Sequence, residues 1–445
     1  MTLSKLTSII GYSCFGGCSS LTTAMLPNLI NIEGDACFAS CSSLTSITLS
    51  KLTSIIGYSC FGGCRSLTTL MLPNLIDIGS NSFGGCEKLA SITLSKVETL
   101  SGNNDFVGCT LLASISLPAL KTITATARYC FYSGNLTSVS LDSLETIAGD
   151  SCFNQCKKLT SICLPKLSTI TADSNYCFYY CGALTSIELS MLTSIAGTYF
   201  VYYCGALVSI SLPKLSTITA NYCFHYCGLT SISLPALTSI AGDYCFYGLQ
   251  NLEYASFPKL RTITADSRCC FSTCPVLASI FMPELITIAG ASCFSPGQKL
   301  TTVTFSDQIT EVGNDAFNYC PSSLTELHLV GQPDVGGNAV NGIVSSCGHL
   351  DAAQSKMQVA TFTFSIGERI LAQLSAPELL NYINAALSIP LASVPFVANI
   401  AADKRVFDLG SAVSTPAGLA HVDNGLFSVI KVHNVSYTWN GSSWG

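Results

Sequence analysis

Apolar residues recur along this chain in a fixed phrase. In residues 41–64, CSSLTSITLSKLTSIIGYSCFGGC, the phrase opens with Leu44, Ile47 and Leu49. The two-residue step from Ile47 to Leu49 puts both on one face of an extended strand, with Ser46 and Thr48 on the other. Leu52 and Ile55 then make a second short extended run, closed by Gly57. The spacing changes at Cys60-Phe61-x-x-Cys64-x-x-Leu67. Steps of three and four there predict a helical turn, α or 3₁₀, with its apolar side inward. One unit reads strand, turn, second extended run, turn, short helical piece.

The phrase repeats. A Phe, usually preceded by Cys, marks it from Phe15 to Phe317, and Val201 fills the slot between Phe178 and Phe224. The steps run from 22 to 25 residues, most often 23, and give fourteen units. Residues 2–18 return unchanged at 48–64, which indicates duplication of a two-unit block. No unit can bury its apolar edge alone. Stacking equivalent units makes a continuous core, as in a solenoid. At ~4.8 Å per strand, fourteen coils would extend roughly 65 Å.

The recurring pattern L-x-x-I-x-L-P…L-x-x-I-G-x-x-C-F-x-x-C resembles the BspA-type class of leucine-rich repeats. The Leu-Pro after the strand stands at Leu117-Pro118, Leu164-Pro165, Leu212-Pro213 and Leu234-Pro235. The resemblance covers residues 1–330. It departs from the family in placing Cys, rather than Ala, before the Phe, with Ala316 the exception. The stretch between the Pro and the next aliphatic is also one residue short. The resemblance implies an α/β repeat solenoid, a right-handed leucine-rich-repeat superhelix with a parallel β-sheet of about fourteen coils. It further implies a non-enzymatic role at a bacterial or protist surface, secreted or displayed, in which the chain binds a protein or glycan. It brings no catalytic motif and no cofactor.

The period stops near residue 330, and residues 331–445 read as a small mixed α/β capping or accessory domain. Residues 376–387 predict a helix with Leu380, Ile383, Asn384 and Leu387 on one face. Residues 361–366 and 427–444 predict strands, with a turn at Asn440-Gly441.

Composition narrows the function classes. Charged residues are only 10% of the 445, and the net charge is −6. An acidic chain without a basic patch is not expected to bind nucleic acid. No run of eighteen apolar residues predicts a transmembrane helix. No signal peptide is visible, but Met1 stands where Ile47 stands in the second copy. A solenoid normally opens on an atypical capping unit. The N-terminus is therefore expected to be truncated, which leaves the compartment open. A monomer is expected.

The 24 cysteines raise a metal or disulfide reading. Seven pairs share the form Cys-Phe-x-x-Cys, among them Cys37/Cys41, Cys60/Cys64 and Cys177/Cys181. Single slots hold Ser82, Asp105, Phe200 and Ala316, substitutions that a ligand set would not survive. A spacing of four also differs from the C-x₂-C of zinc sites. A ladder of buried free thiols is the favoured reading, with no metal, and disulfides come second. Thiols in such number would favour the alternative function, an intracellular structural or protein-interaction scaffold.

Positions flanking the strand aliphatics face outward and are mostly Ser and Thr. The last units differ: Tyr254, Phe281, Glu326 and His328 are the candidate ligand-binding residues, because aromatic side chains concentrate at recognition hot spots. A dense run of tyrosines between residues 176 and 247 lies beside the predicted helical pieces. It reads first as shielding of coil edges and second as a contact surface. Cys347, His349 and Asp351 are too close in sequence to form a catalytic set of the usual kind. Asn135, Asn434 and Asn440 fit the glycosylation pattern, a common chance match in a chain rich in Ser and Thr.

Overall fold

The computed structural model describes residues 1–294 except Ser133, with Lys299 and Leu300; beyond these it describes only the backbone of short strands. The chain divides into two compact units, Met1–Leu229 and Thr230–Gly445. The described residues of each unit stack as coils. The described residues make about twelve turns of a parallel β-solenoid.

A coil contributes one three-residue strand and one two-residue strand. In the first unit these run from Thr23–Met25 to Ser209–Ser211 and from Ser8–Ile9 to Thr217–Ile218. The second unit holds Ser231–Ser233, Tyr254–Ser256 and Ser279–Phe281, with Ser239–Ile240, Thr262–Ile263 and Thr287–Ile288. Equivalent strands pair in parallel and in register, as in Ser161↔Ser186↔Ser209 and Thr169↔Ser194↔Thr217. The period of two decides burial. In Ser46–Thr48 the central Ile47 is buried and both neighbours are exposed. Val139 and Ile210 are the half-buried exceptions at the strand centre.

The expected helical piece is not a helix. The described residues contain none, and so none long and apolar enough to cross a membrane. The Cys-Phe-x-x-Cys segment is a run of tight turns, with Gly16 N–H donating to Ser13 and Cys18 N–H to Phe15. What stops a helix is a pair of left-handed residues four apart in many coils. Ser59 and Gly63 take φ of 55° and 71°, and Tyr199 and Tyr203 both take 56°. Each left-handed residue turns its peptide out of helical register. Alternate N–H groups then point to the next coil: Ser13 donates to Asp35, Phe15 to Cys37 and Gly17 to Ala39.

The core is layered by these registers. From Phe15 to Phe178 the Phe rings form one stack, with centroids 5.0 to 6.0 Å apart and planes within 18°. At the next coil Val201 takes the Phe slot and its N–H donates to Cys223, as a Phe would. Phe200 takes the Cys slot instead and lies edge-on to Phe178 and Phe224, at 80° and 89°. In the second unit Phe246, Phe271 and Phe294 stack at 4.9 and 5.5 Å.

The cysteines are hydrogen-bond donors to the backbone. Cys60 Sγ lies 3.2 Å from the carbonyl of Gly57, three residues back. Cys64 Sγ lies 3.0 Å from the carbonyl of Phe38 in the preceding coil. Ser82, in the first slot, donates to Gly79 in the same way, which explains why Ser replaces Cys there. Burial pushes the thiols of Cys60 and Cys64 up to about 12. The same bonds recur from coil to coil, and the coils' backbones pack closely beside them. A Cβ on Gly57 would sit 2.1 Å from the carbonyl oxygen of Gly34, so only Gly fits there.

Beyond residue 300, strand Phe364–Ile366 pairs in parallel with Leu329–Gly331, in agreement with the strand expected at 361–366. Val429–Val432 pairs antiparallel with Val435–Thr438. The turn expected at Asn440-Gly441 lies outside the described residues. The helix expected at 376–387, the domain boundary at 330 and the Cys347, His349 and Asp351 set lie outside the described residues.

Candidate functional site

The outer face of the three-residue strands presents two rows of side chains per coil. Outward residues read from the sequence, such as Ser46 and Thr48 or Ser114 and Ser116, stand there exposed. The rows are chiefly hydroxyls at roughly 4.8 Å intervals, which can donate and accept but bury little apolar area.

Large side chains interrupt the rows at few points. In the second unit Tyr254 is 42% exposed and Phe281 39% exposed. Register places Tyr254 opposite Ser279, and Ser256 opposite Phe281. The two rings are thus diagonal neighbours on adjacent strands, one in each row. Neither is in a ring contact with another aromatic among the described residues. The next strands extend both rows: Ser279↔Thr302↔Glu326 and Phe281↔Thr304↔His328. Glu326 therefore shares a row with Tyr254, and His328 with Phe281. Only the strand positions of Glu326 and His328 are described, not their side chains.

In the first unit the same face carries a shallow hollow of about 420 Å³ over Ser161–Cys163, Ser186–Glu188 and Ser209–Ser211. Cys163 is exposed and opposite Glu188, which in turn is opposite Ser211. Partial burial, then the Glu188 charge, raises the Cys163 thiol above its ordinary value. A nucleophilic cysteine needs the reverse, a lowered thiol beside a cation or base. This hollow can hydrogen-bond a ligand but does not activate a thiol.

The tyrosine-rich edge is also built by register, and here sequence reasoning saw density without order. Tyr176, Tyr199 and Tyr222 form one column, with centroids 4.8 and 4.9 Å apart. Tyr179, Tyr202 and His225 form a second, at 5.2 and 4.8 Å. Tyr180, Tyr203 and Tyr226 form a third, with both steps 5.0 Å. Edge-on contacts knit the columns together, as between Tyr176 and Tyr179 at 86°. The recurrence of Tyr at steps of 23 was the signal available in the sequence. Burial, reinforced by neighbouring phenols, pushes Tyr202 up to about 12. Burial also pulls the His225 imidazole down to about 4, so the ring packs as a neutral aromatic. Because the ring faces are spent on one another, a ligand would meet mainly edges and hydroxyls. Sugar-ring stacking needs an open face, which this wall offers little of.

Among the described residues no cluster of three or more His, Cys, Asp or Glu side chains could hold a metal ion. The Asn135 amide donates to the Thr110 carbonyl at 2.6 Å, a structural use of that side chain.

No curated protein matches the chain. Among solved structures, it is similar to a leucine-rich repeat protein from Bacteroides ovatus, with 23% identity, 71% of this chain and 83% of that chain covered, and a TM-score of 0.49. It is also similar to a leucine rich cell surface protein from Faecalibacterium prausnitzii, with 21% identity, 62% and 83% covered, and a TM-score of 0.29. A leucine-rich repeat protein of T. pallidum gives 19% identity, 56% and 87% covered, and a TM-score of 0.25. The family model for the BspA type leucine rich repeat region matches residues 1–103, 77–204 and 193–325. The matched residues make up most of the chain, and the chain belongs to the BspA-type leucine-rich repeat family.

Proposed function

We propose that this chain is a non-enzymatic binding and adhesion protein, displayed at a cell surface or secreted, that recognises a protein or glycan partner as a monomer. The family's leucine-rich repeats generally act as scaffolds for binding, and one similar solved structure is named as a cell surface protein. Recognition centres on Tyr254 and Phe281, with Glu326 and His328 completing the two rows. The observation that carries this reading is the pair of exposed aromatic rings, diagonal on adjacent strands whose neighbouring outward positions in the second unit, Ser231, Ser233, Ser256 and Ser279, are hydroxyls. Aromatic anchors exclude water from neighbouring hydrogen bonds, which Ser rows alone do poorly.

The intracellular scaffold reading draws no support from the thiols. Most are buried, raised and donating to carbonyls, so they would resist oxidation in either compartment.

A glycan and matrix-protein array on the full chain would identify a ligand. Single alanine variants at Tyr254, Phe281, Glu326 and His328, with unchanged circular dichroism, should each weaken its binding more than Ser140→Ala, Ser211→Ala or Ser233→Ala. Full binding by the combined Tyr254, Phe281 and His328 variant would move the site elsewhere, and the tyrosine edge would be the next place to look.

A further inference from the structure

The face of the two-residue strands is polar or small along most of the first unit. The residue after each strand is Thr124, Ala148, Thr171, Ala196 or Thr219 in later coils. The first coils depart from this. Ile10 and Tyr12 are 73% and 79% exposed, and Ile56 and Tyr58 are 66% and 56% exposed. Exposed apolar side chains gathered on one face mark interaction surfaces, whereas scattered ones need no explanation.

These four are in register. Ile9↔Ile32↔Ile55 pair along the solenoid, so Ile10 and Ile56 stand in one row, two coils apart, with Glu33 between them. Ser13 N–H donates to Asp35, and Ala36 N–H to Tyr58, so Tyr12, Asp35 and Tyr58 form the row beside it. The face therefore alternates an Ile-Tyr ridge, a Glu-Asp furrow and a second Ile-Tyr ridge. Glu33 and Asp35 are exposed, and neither is in a salt bridge among the described residues. The Asp35 carboxylate accepts a 2.7 Å bond from Tyr58 N–H, which fixes it beside the second ridge.

We propose that this face docks an extended, proline-rich, cationic segment of a partner protein in the polyproline II conformation. Two arguments select that occupant. Two coils separate the ridges by about 9.6 Å. A polyproline II helix repeats every three residues at about 9.3 Å, so residues three apart meet successive ridges. Tyrosine rings are the usual platform for such prolines, whose stiffness lowers the entropy lost on binding. The furrow is acidic, so the residue facing it should be Arg or Lys. This surface is independent of the Tyr254 and Phe281 face, and either can fail without the other.

The test is fluorescence anisotropy of a labelled Pro-Pro-Arg repeat peptide with the full chain. A Pro-Pro-Glu repeat controls for charge, and a Gly-Ser-Arg repeat controls for polyproline conformation. The Pro-Pro-Arg peptide should bind at least about tenfold tighter than either control, and more weakly as salt rises. A Tyr12→Ala, Tyr58→Ala double variant and a Glu33→Gln, Asp35→Asn double variant should each weaken it about tenfold. All four side chains are exposed, so circular dichroism and melting should stay unchanged. No binding of Pro-Pro-Arg overturns the proposal. Equal binding of Gly-Ser-Arg overturns it too, because diffuse charge attraction would then suffice. If light scattering shows a dimer that Tyr58→Ala dissolves, the face belongs to a second copy of this chain and the proposal falls.

Discussion

Asp105 occupies a Cys slot, is fully buried, and neither of its carboxyl oxygens has a hydrogen-bond partner among the described residues. In neighbouring coils the slot residue donates to the carbonyl three residues back: Cys60 to Gly57, Ser82 to Gly79 and Cys152 to Gly149. A carboxylate cannot donate; a protonated acid can. Burial pushes the Asp105 carboxyl well above its ordinary value of 3.8, and the backbone N–H dipoles of Ser82 and Asn81 nearby offset this only in part, without closing a hydrogen bond. No charged neighbour contributes, so the native coil should hold Asp105 as a neutral acid, its proton directed at the carbonyl of Gly102.

The linkage runs opposite to that of an ordinary Asp. Above pH 3.8 the unfolded chain has lost this proton while the folded chain keeps it. Unfolding then releases a proton, and stability falls by about 1.4 kcal/mol per pH unit until the folded carboxyl itself ionises. The contribution is fully present below the unfolded value and is lost as pH rises through the folded one. Asp105→Ser, for which Ser82 is the precedent one coil earlier, should remove this slope. The variant should therefore gain on wild type at each step from pH 5 upward. Each coil contacts only its neighbours, so hydrogen exchange across residues 99–110 reads the effect locally, alongside urea unfolding at each pH. Parallel stability curves for the two proteins would refute the reasoning, as would an infrared carboxylate band for Asp105 in the folded protein at neutral pH.

Two further outcomes follow from the core. Phe61→Ala removes one ring from a stack whose members lie 5.3 and 6.0 Å away, and should cost about 3–5 kcal/mol, with exchange rising only in the flanking coils; an unmoved urea midpoint would contradict the ladder. The buried thiols ionise above pH 9.0 when unfolded but are held near 12 in the fold at Cys60 and Cys64. Stability should thus fall steeply between those values, and thiol titration should return nearly all 24 cysteines in denaturant and few in the native protein; fast native reaction of most thiols would show the ladder is not buried.

The strand positions were legible because a period of two leaves no freedom. Once Ile47 points inward, Ser46 and Thr48 must point out, and the repeat length then fixes which residues stack. That is why Tyr254 and Phe281 could be set on adjacent strands from spacing alone. The diagonal between them could also be counted, since Tyr254 opens its strand and Phe281 closes its own. The Cys-Phe-x-x-Cys segment misled because steps of three and four are common to a helix and to successive tight turns. Spacing records which side chains face inward, and both structures bury Phe61 and Leu67.

What separates the two is backbone handedness, and the sequence does carry a faint trace of it. In early coils several left-handed positions hold Gly63, Gly85, Gly108, Asn81 and Asn104, residues that tolerate positive φ, although Ser13, Ala36, Ser40 and Ser59 fill others. Later coils put Tyr176, Tyr199 and Tyr222 at the first such position and Tyr180, Tyr203 and Tyr226 at the second. A bulky residue there costs roughly 1–2 kcal/mol. Each of these rings stacks on its equivalent at about 5 Å, and an aromatic pair returns about 0.5–1.5 kcal/mol beyond the area it buries. Where adjacent coils also carry Tyr, the stacking offsets the strain. Tyr129 stands alone at the first position, between Asn104 and Ser151, but from Tyr176 to Tyr222 tyrosine fills it in three adjacent coils. A column of tyrosines in a slot that elsewhere holds mostly small or short polar residues is in this way a sign of stacked rings.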